Sequence, residues 1–290
     1  MQRIGMIGLG AMGRNVALNI MKAGYELSVF DVVPAAIAAL AQQGAKGTES
    51  IEEMGKTCDT VLVMVNNYAQ AADVFQKLFT GMKSGVVICL STIAVADAEK
   101  LDRMAEEAGV TYIDCPVSGG TRGAQAGKLT LMVSGPRAVY DELMPLFKAF
   151  GENVVFVDEK AGRSQALKSI NQLLVGVHMC ATAEAFTLAK ACGLDLQLVY
   201  DVISKSAGNS NIFSNRGQFA IERNFDTRST IAIQVKDTKI VCDTAKELGV
   251  PVYLADKALE LFKEAYEKYT PTDDSLEVMR VYEEHCEKTE

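Results

Sequence analysis

Hydrophobic positions along the chain follow two regimes. Up to about residue 157 they form short apolar runs bounded by glycine or polar residues, at 4–9, 27–30, 60–65, 86–90, 110–113, 129–133 and 154–157. Runs of this kind predict strands buried on both faces, as in a parallel sheet. Helical spacing is clear between several of them, at 15–22 ahead of Ala23-Gly24 and from about 138 to 150. Beyond Ala161 the strand signal fades. A helical pattern opens at Gly162-Arg163-Ser164 and runs to about residue 192, long enough to link two domains. Further helices are predicted at 195–206, 211–223, 231–248, 252–269 and 276–286, with loops at Gly208-Asn209-Ser210, Asp226-Thr227 and Pro271-Thr272-Asp273-Asp274. The expectation is an α/β doubly wound sheet over residues 1–161, joined by a long helix to an all-α domain over 162–290.

The first apolar run enters Gly8-Leu9-Gly10-Ala11-Met12-Gly13, and the second closes on Asp31. Glycines at that spacing tighten the turn and let the backbone approach a pyrophosphate, whose charge a helix N-terminus favours. An acid about 20 residues further on, at the end of the second strand, accepts from ribose hydroxyls. A lone GxGxxG is weak; one set strand–turn–helix–strand–Asp is specific, and it predicts a Rossmann-type dinucleotide site on Gly8, Leu9, Gly10, Met12, Gly13 and Asp31. A carboxylate at Asp31 repels the 2′-phosphate of NADP, and Val32, Val33 and Pro34 offer no arginine to receive it. NAD is the expected cofactor. Arg14, the nearby cation, either flanks the phosphates or faces solvent.

Ligands of open parallel sheets lie beyond the carboxyl ends of strands. Val65 and Asn66 after one strand, and Thr92 after the next, are therefore candidates to touch the cofactor; as separate residues, Asn66 and Thr92 read equally well as helix N-caps. The segment Asp114-Cys115-Pro116-Val117-Ser118-Gly119-Gly120 puts a hydroxyl and two side-chain-free amides at a strand end. Ser118, Gly119 and Gly120 form a natural cradle for a carboxylate. The alternative is a plain Ser-Gly-Gly turn.

On the long helix, Lys168, Asn171 and Gln172 stand at i, i+3 and i+4 and share a face. Around them run Ala166, Leu167, Ile170, Leu173, Leu174 and Val175. A desolvated lysine in such surroundings is suited to giving and taking protons. The competing reading is an amphipathic helix with one solvated lysine. His178, nearly three turns further on, is the rival base and reads as a packed histidine.

Composition narrows the partners. At 290 residues the chain is long enough for two domains. Its net charge of −8 argues against nucleic acid or an anionic membrane as the main partner. The seven cysteines show no CxxC pair or metal-ligand spacing, so reduced thiols in a cytoplasmic protein and no metal site are expected. No signal-peptide pattern opens the chain, and no apolar run is expected to span a bilayer.

With these residues in place, the chain resembles the β-hydroxyacid dehydrogenases, the family of 3-hydroxyisobutyrate dehydrogenase and tartronate semialdehyde reductase. The likeness covers nearly the whole sequence. It rests on the glycine turn at Gly8, the Asp114–Gly120 segment, the Lys168–Asn171 segment and Lys236-Asp237, in that order. The resemblance implies that Lys168 is the catalytic lysine, that Ser118, Gly119 and Gly120 hold a substrate carboxylate, and that Asn171 fixes the substrate's polar end. It also implies that Thr92 contacts the cofactor, that Lys236 reaches its nicotinamide side, and that Asp237 orients that lysine. Cys115 stands where the family has alanine, and Ser164 where it has a second glycine before the lysine. Gln172 stands where many members carry asparagine. With Asn171-Gln172-Leu173-Leu174-Val175-Gly176-Val177-His178 and Ser206-Ala207-Gly208-Asn209-Ser210, Gln172 is similar to the branch of L-threonate dehydrogenases, which oxidise a C4 sugar acid with NAD.

The implied function is hydride transfer between NAD and a small hydroxy acid, in a homodimer or homotetramer. An NADH-dependent semialdehyde reductase is the alternative in the opposite direction. A non-catalytic dinucleotide-binding scaffold of the same fold commonly lacks the lysine, and an imine reductase of the superfamily replaces it with another acid.

Overall fold

The structure, a computed structural model, describes residues 3–287. Two compact units divide at Lys168 and Ser169. The first contains, in order, β1 (Ile4–Ile7), α1 (Gly13–Lys22), β2 (Leu27–Phe30), α2 (Pro34–Ala41), β3 (Lys46–Gly47), α3 (Ile51–Thr57), β4 (Thr60–Val63), α4 (Tyr68–Gly81), β5 (Val86–Cys89) and α5 (Val95–Ala108). It continues with β6 (Thr111–Asp114), β7 (Val117–Ser118), α6 (Gly120–Ala126), β8 (Leu129–Ser134), α7 (Arg137–Phe150), β9 (Gly151–Asp158) and the start of α8 (Arg163–Ala191).

One sheet runs β3-β2-β1-β4-β5-β6-β8-β7, with β9 paired to β8. The strands from β3 across to β6 are parallel, and β8 reverses against β6 and β7. Successive strand residues face opposite sides. Val61 and Val63 pack with α3, α4 and α5, whereas Leu62 packs with α1 and α7; Val87 and Cys89 likewise oppose Ile88. Both faces are covered, which is why the strands read as unbroken apolar runs. The reversal at β8 pairs Ser118 with Thr130 and so sets the strand end that carries Gly119 and Gly120.

The first turns of α8 pack with the sheet, which is why the compact units part inside that helix. Among the described residues the second unit is helical: α9 (Leu196–Ile203), α10 (Asn211–Ile221), α11 (Ile231–Glu247), α12 (Tyr253–Lys268) and α13 (Val278–Glu287) accompany the rest of α8. Asp195, Ser210 and Thr230 cap three of these helices with side-chain oxygens. The helix expected at 276–286 begins instead as a 3₁₀ turn, Ser275–Glu277, capped by Asp274. Its core stacks Phe186 on Phe213, with Phe262, Leu276 and Val281 fully buried around them.

Helix α8 is long and apolar enough to cross a membrane by length and composition alone. Its polar residues interrupt the apolar run in sequence but not the helix. Half of its most apolar stretch is buried inside the protein, as in a core helix.

Candidate functional site

The turn between β1 and α1 is built by crowding. Gly8 adopts φ +90°, and a Cβ there would sit 2.1 Å from the Met64 carbonyl oxygen. A Cβ on Gly13 would sit 2.0 Å from the Gly8 oxygen, yet Gly10 has nothing within 4 Å. The protein's own packing therefore requires two of the glycines, and the third leaves open space at the mouth of α1. Among the described residues no side chain caps the start of α1, and no acid lies in its first turn. Leu9 is buried beneath the turn and Met12 is half-buried at the helix mouth. These features fit a dinucleotide's pyrophosphate.

Asp31, half-buried at the end of β2, leans over the same turn. Its Oδ2 accepts from the Leu9 amide at 2.6 Å and its Oδ1 from the Val33 amide at 2.8 Å. Beside it, Val32 is 87% exposed, and Arg14 is exposed on α1.

At the next strand ends, the Val65 amide donates to Ser91 Oγ at 2.9 Å, and the Asn66 amide donates to Gln70 Oε1 at 2.9 Å. The N-cap of α4 is Asn67, whose side chain accepts from the Gln70 amide, and the N-cap position of α5 is Ala94. Neither Asn66 nor Thr92 is a helix cap. Thr92 is half-buried between the buried residues Ser91 and Ile93.

After β6, buried Cys115 leads into β7, where Ser118 is half-buried and Gly119 and Gly120 are exposed. Burial pushes the Cys115 thiol well above its ordinary range, so it stays protonated and inert. Gly119 has φ +130° and Gly120 φ +59°, and a Cβ on Gly120 would meet nothing within 4 Å. Two consecutive left-handed residues with open space at the second present backbone amides that no side chain shields.

Lys168 is buried, only 6% exposed. The solvated-lysine reading therefore fails. Around it α8 is inverted relative to an ordinary amphipathic helix: Ile170 (61%) and Leu174 (48%) face outward, while Lys168 and Gln172 are inside. In the second unit, Asn171 Nδ2 donates to Gln172 Oε1 at 2.8 Å, and Gln172 Nε2 donates to Asp237 Oδ2 at 2.6 Å. Lys236 Nζ lies 3.1 Å from Asp237 Oδ1. One polar chain thus joins residues expected at the substrate and cofactor. His178 is half-buried further along α8.

Sequence reasoning missed the buried group formed by Asp114, Ser164 and Gln165. Ser164 is visible as a departure from the family pattern; nothing local marks Gln165.

A glycine-turned parallel sheet of this order makes the chain a Rossmann-type NAD(P)-binding protein. Residues 3–158 match the family model for the NAD binding domain of 6-phosphogluconate dehydrogenase. Residues 162–282 match the one for NAD-binding of NADP-dependent 3-hydroxyisobutyrate dehydrogenase. The chain is 36% identical to L-threonate dehydrogenase of Escherichia coli K12, over 96% of this chain and 94% of that protein. It is 31% identical to 2-(hydroxymethyl)glutarate dehydrogenase of Eubacterium barkeri, over 97% and 95%. The crystal structure of 3-hydroxyisobutyrate dehydrogenase from Salmonella typhimurium superposes with a TM-score of 0.89 at 36% identity, covering 97% of this chain and 100% of that one. The chain belongs to the 3-hydroxyisobutyrate dehydrogenase family, oxidoreductases acting on CH–OH groups.

Proposed function

We propose that this protein is an NAD-dependent dehydrogenase of a small hydroxy acid, of the L-threonate or 3-hydroxyisobutyrate type, with Lys168 as general acid and base. The observation that carries the reading is the burial of Lys168 on a stretch of α8 whose neighbouring apolar side chains Leu167, Ile170 and Leu174 are exposed. A lysine held inside in that way is placed for chemistry rather than for solubility.

The nicotinamide supplies the hydride acceptor or donor. Lys168 takes the substrate hydroxyl proton in oxidation and returns it in reduction, and its charged form stabilises the alkoxide between these states. Ser118 and the amides of Gly119 and Gly120 bind the substrate carboxylate. Asn171 holds the polar end of the substrate, steadied by Gln172. Gly8, Leu9, Gly10, Met12, Gly13, Asp31, Val65, Asn66 and Thr92 hold the dinucleotide, and Lys236 reaches its nicotinamide side. We assign cofactor binding to residues 1–161 and substrate binding and assembly to 162–290.

The exposed residues Leu167, Ile170 and Leu174 of α8 stand at i, i+3 and i+7, the spacing of a helix seam. This apolar stripe supports assembly into a homodimer or homotetramer. We assign the enzyme to the cytoplasm, in keeping with its seven free cysteines.

The test is a spectrophotometric screen with NAD and NADP against L-threonate, 3-hydroxyisobutyrate, glycerate and short semialdehydes. Turnover of a hydroxy acid with NAD is expected; no turnover of any of these with either cofactor would overturn the reading.

A further inference from the structure

Asp114 closes β6 with no exposed surface and collects three donors. The Gly162 amide (3.1 Å) and Ser164 Oγ (2.6 Å) donate to Oδ2, and Gln165 Nε2 (2.7 Å) donates to Oδ1. The Ser164 amide donates to Ser134 Oγ at 3.0 Å, at the end of β8. Gln165 Nε2 also donates to the Ser91 carbonyl at 3.0 Å, while its Oε1 accepts from the Ile93 amide at 3.2 Å. Ser91 Oγ in turn accepts from the Val65 amide. The reverse placement of the Gln165 amide would set N–H against N–H at Ile93 and oxygen against oxygen at Asp114, so only this one satisfies every partner.

The network is continuous and reaches three strand ends where ligands of such sheets bind. Gln165 grips the segment on both sides of Thr92. Lys168 follows Gln165 at i+3 and Ser164 at i+4, so it stands above both on the same buried face. A buried carboxylate with polar partners is a poor way to gain stability, since apolar residues of similar volume stabilise as well or better. What such a network does supply is a single fixed geometry.

We propose that Asp114, Ser164 and Gln165 are positioning residues: a buried clasp that holds the Lys168 turn of α8 in register with the Thr92 segment. Ser164 adds to the clasp a hydroxyl donor to Asp114 Oδ2 that a residue without a side-chain hydroxyl would not supply. The proposal rests on the reading of Lys168 as general acid and base.

The test compares Gln165→Met, Lys168→Ala and the double variant by single-turnover hydride transfer, using NAD and the hydroxy acid of the screen with the highest kcat/KM. NADH fluorescence titration and thermal melts accompany each variant. Gln165→Met should slow hydride transfer at least tenfold with NADH affinity within threefold of wild type. In the Lys168→Ala background the same change should cost less than threefold. Gln165→Glu makes a hydrogen bond with Asp114 only when the facing pair of carboxyls holds a proton, so its rate relative to wild type should rise as pH falls from 8 to 5.5. That variant carries the comparison if Gln165→Met does not fold. A lowered melting temperature with an unchanged rate per folded molecule, or equal losses in both backgrounds, overturns the clasp. A near-wild-type Lys168→Ala instead overturns the role of Lys168, whatever Gln165→Met does.

Discussion

Gln172 Nε2 donates to Asp237 Oδ2 across 2.6 Å, from α8 to α11, although the two residues lie 65 apart in the chain. The same side chain accepts from Asn171 through Oε1. Both ends of the Gln172 amide are thus engaged by protein, and Asp237 is passed on to Lys236. Asparagine is one methylene shorter, so on an unmoved backbone its amide would draw back from Asp237 or from Asn171.

Gln172→Asn should therefore leave the buried Asp237 carboxylate short of a donor, costing about 1–3 kcal/mol of stability. The KM for the hydroxy acid should rise more than the KM for NAD. Urea unfolding with steady-state kinetics checks both, and unchanged values for each would remove Gln172 from the site.

Asp31 is pinned over the glycine turn by two backbone amides, with two exposed valines beside it. NAD should be preferred to NADP by at least about tenfold in kcat/KM, or ~1.4 kcal/mol. Asp31→Ser combined with Val32→Arg should move the preference toward NADP. Equal use of both cofactors by the wild type would contradict the assignment.

Lys168→Ala should lower kcat by on the order of 10²–10⁴, the usual contribution of general acid–base catalysis. Lys168→Arg should not restore the rate, because arginine does not release its proton in this range. Stopped-flow hydride transfer on both variants is the measurement. A rate within a few-fold of wild type for Lys168→Ala would direct attention to His178.

Burial raises the Asp114 carboxyl from its ordinary 3.8 to about 6, against the lowering effect of its Ser164, Gln165 and Gly162 donors. A group that holds its proton more tightly in the fold stabilises the fold at low pH. That contribution is complete below the ordinary value, falls as pH rises toward about 6, and is lost above it. Asp114→Asn carries no such dependence. Calorimetry should show the melting temperature of wild type falling relative to Asp114→Asn across that window, then holding a constant offset at neutral and alkaline pH. A constant offset through the acid range as well would show that burial does not govern Asp114.

Ile170→Glu with Leu174→Glu places charge in the exposed stripe of α8. Sedimentation should show a smaller species than wild type, with Lys168 still buried behind the altered face. An unchanged sedimentation coefficient would place any assembly surface elsewhere.

Much of the fold is legible in the sequence, because its signals are local. Strands buried on both faces leave unbroken apolar runs, and a turn as tight as Gly8 to Gly13 admits only glycine where a Cβ would strike backbone. Lys168 was legible as a candidate, but its burial was not: apolar residues stand on most sides of it in the helical pattern, and the period alone does not say which face turns inward. The span of α8 itself was legible: the pattern that opens at Gly162-Arg163-Ser164 and runs to about 192 is the helix Arg163–Ala191. Tertiary structure alone excluded Asn66 and Thr92 as caps, reversed β8 against β6, and assembled Asp114 with Ser164 and Gln165. It also joined Gln172 to Asp237. These last contacts connect residues separated by about fifty or more positions, and no local period records which distant donor will meet a buried carboxylate. Only the packing of the sheet against α8, and of α8 against α11, decides them.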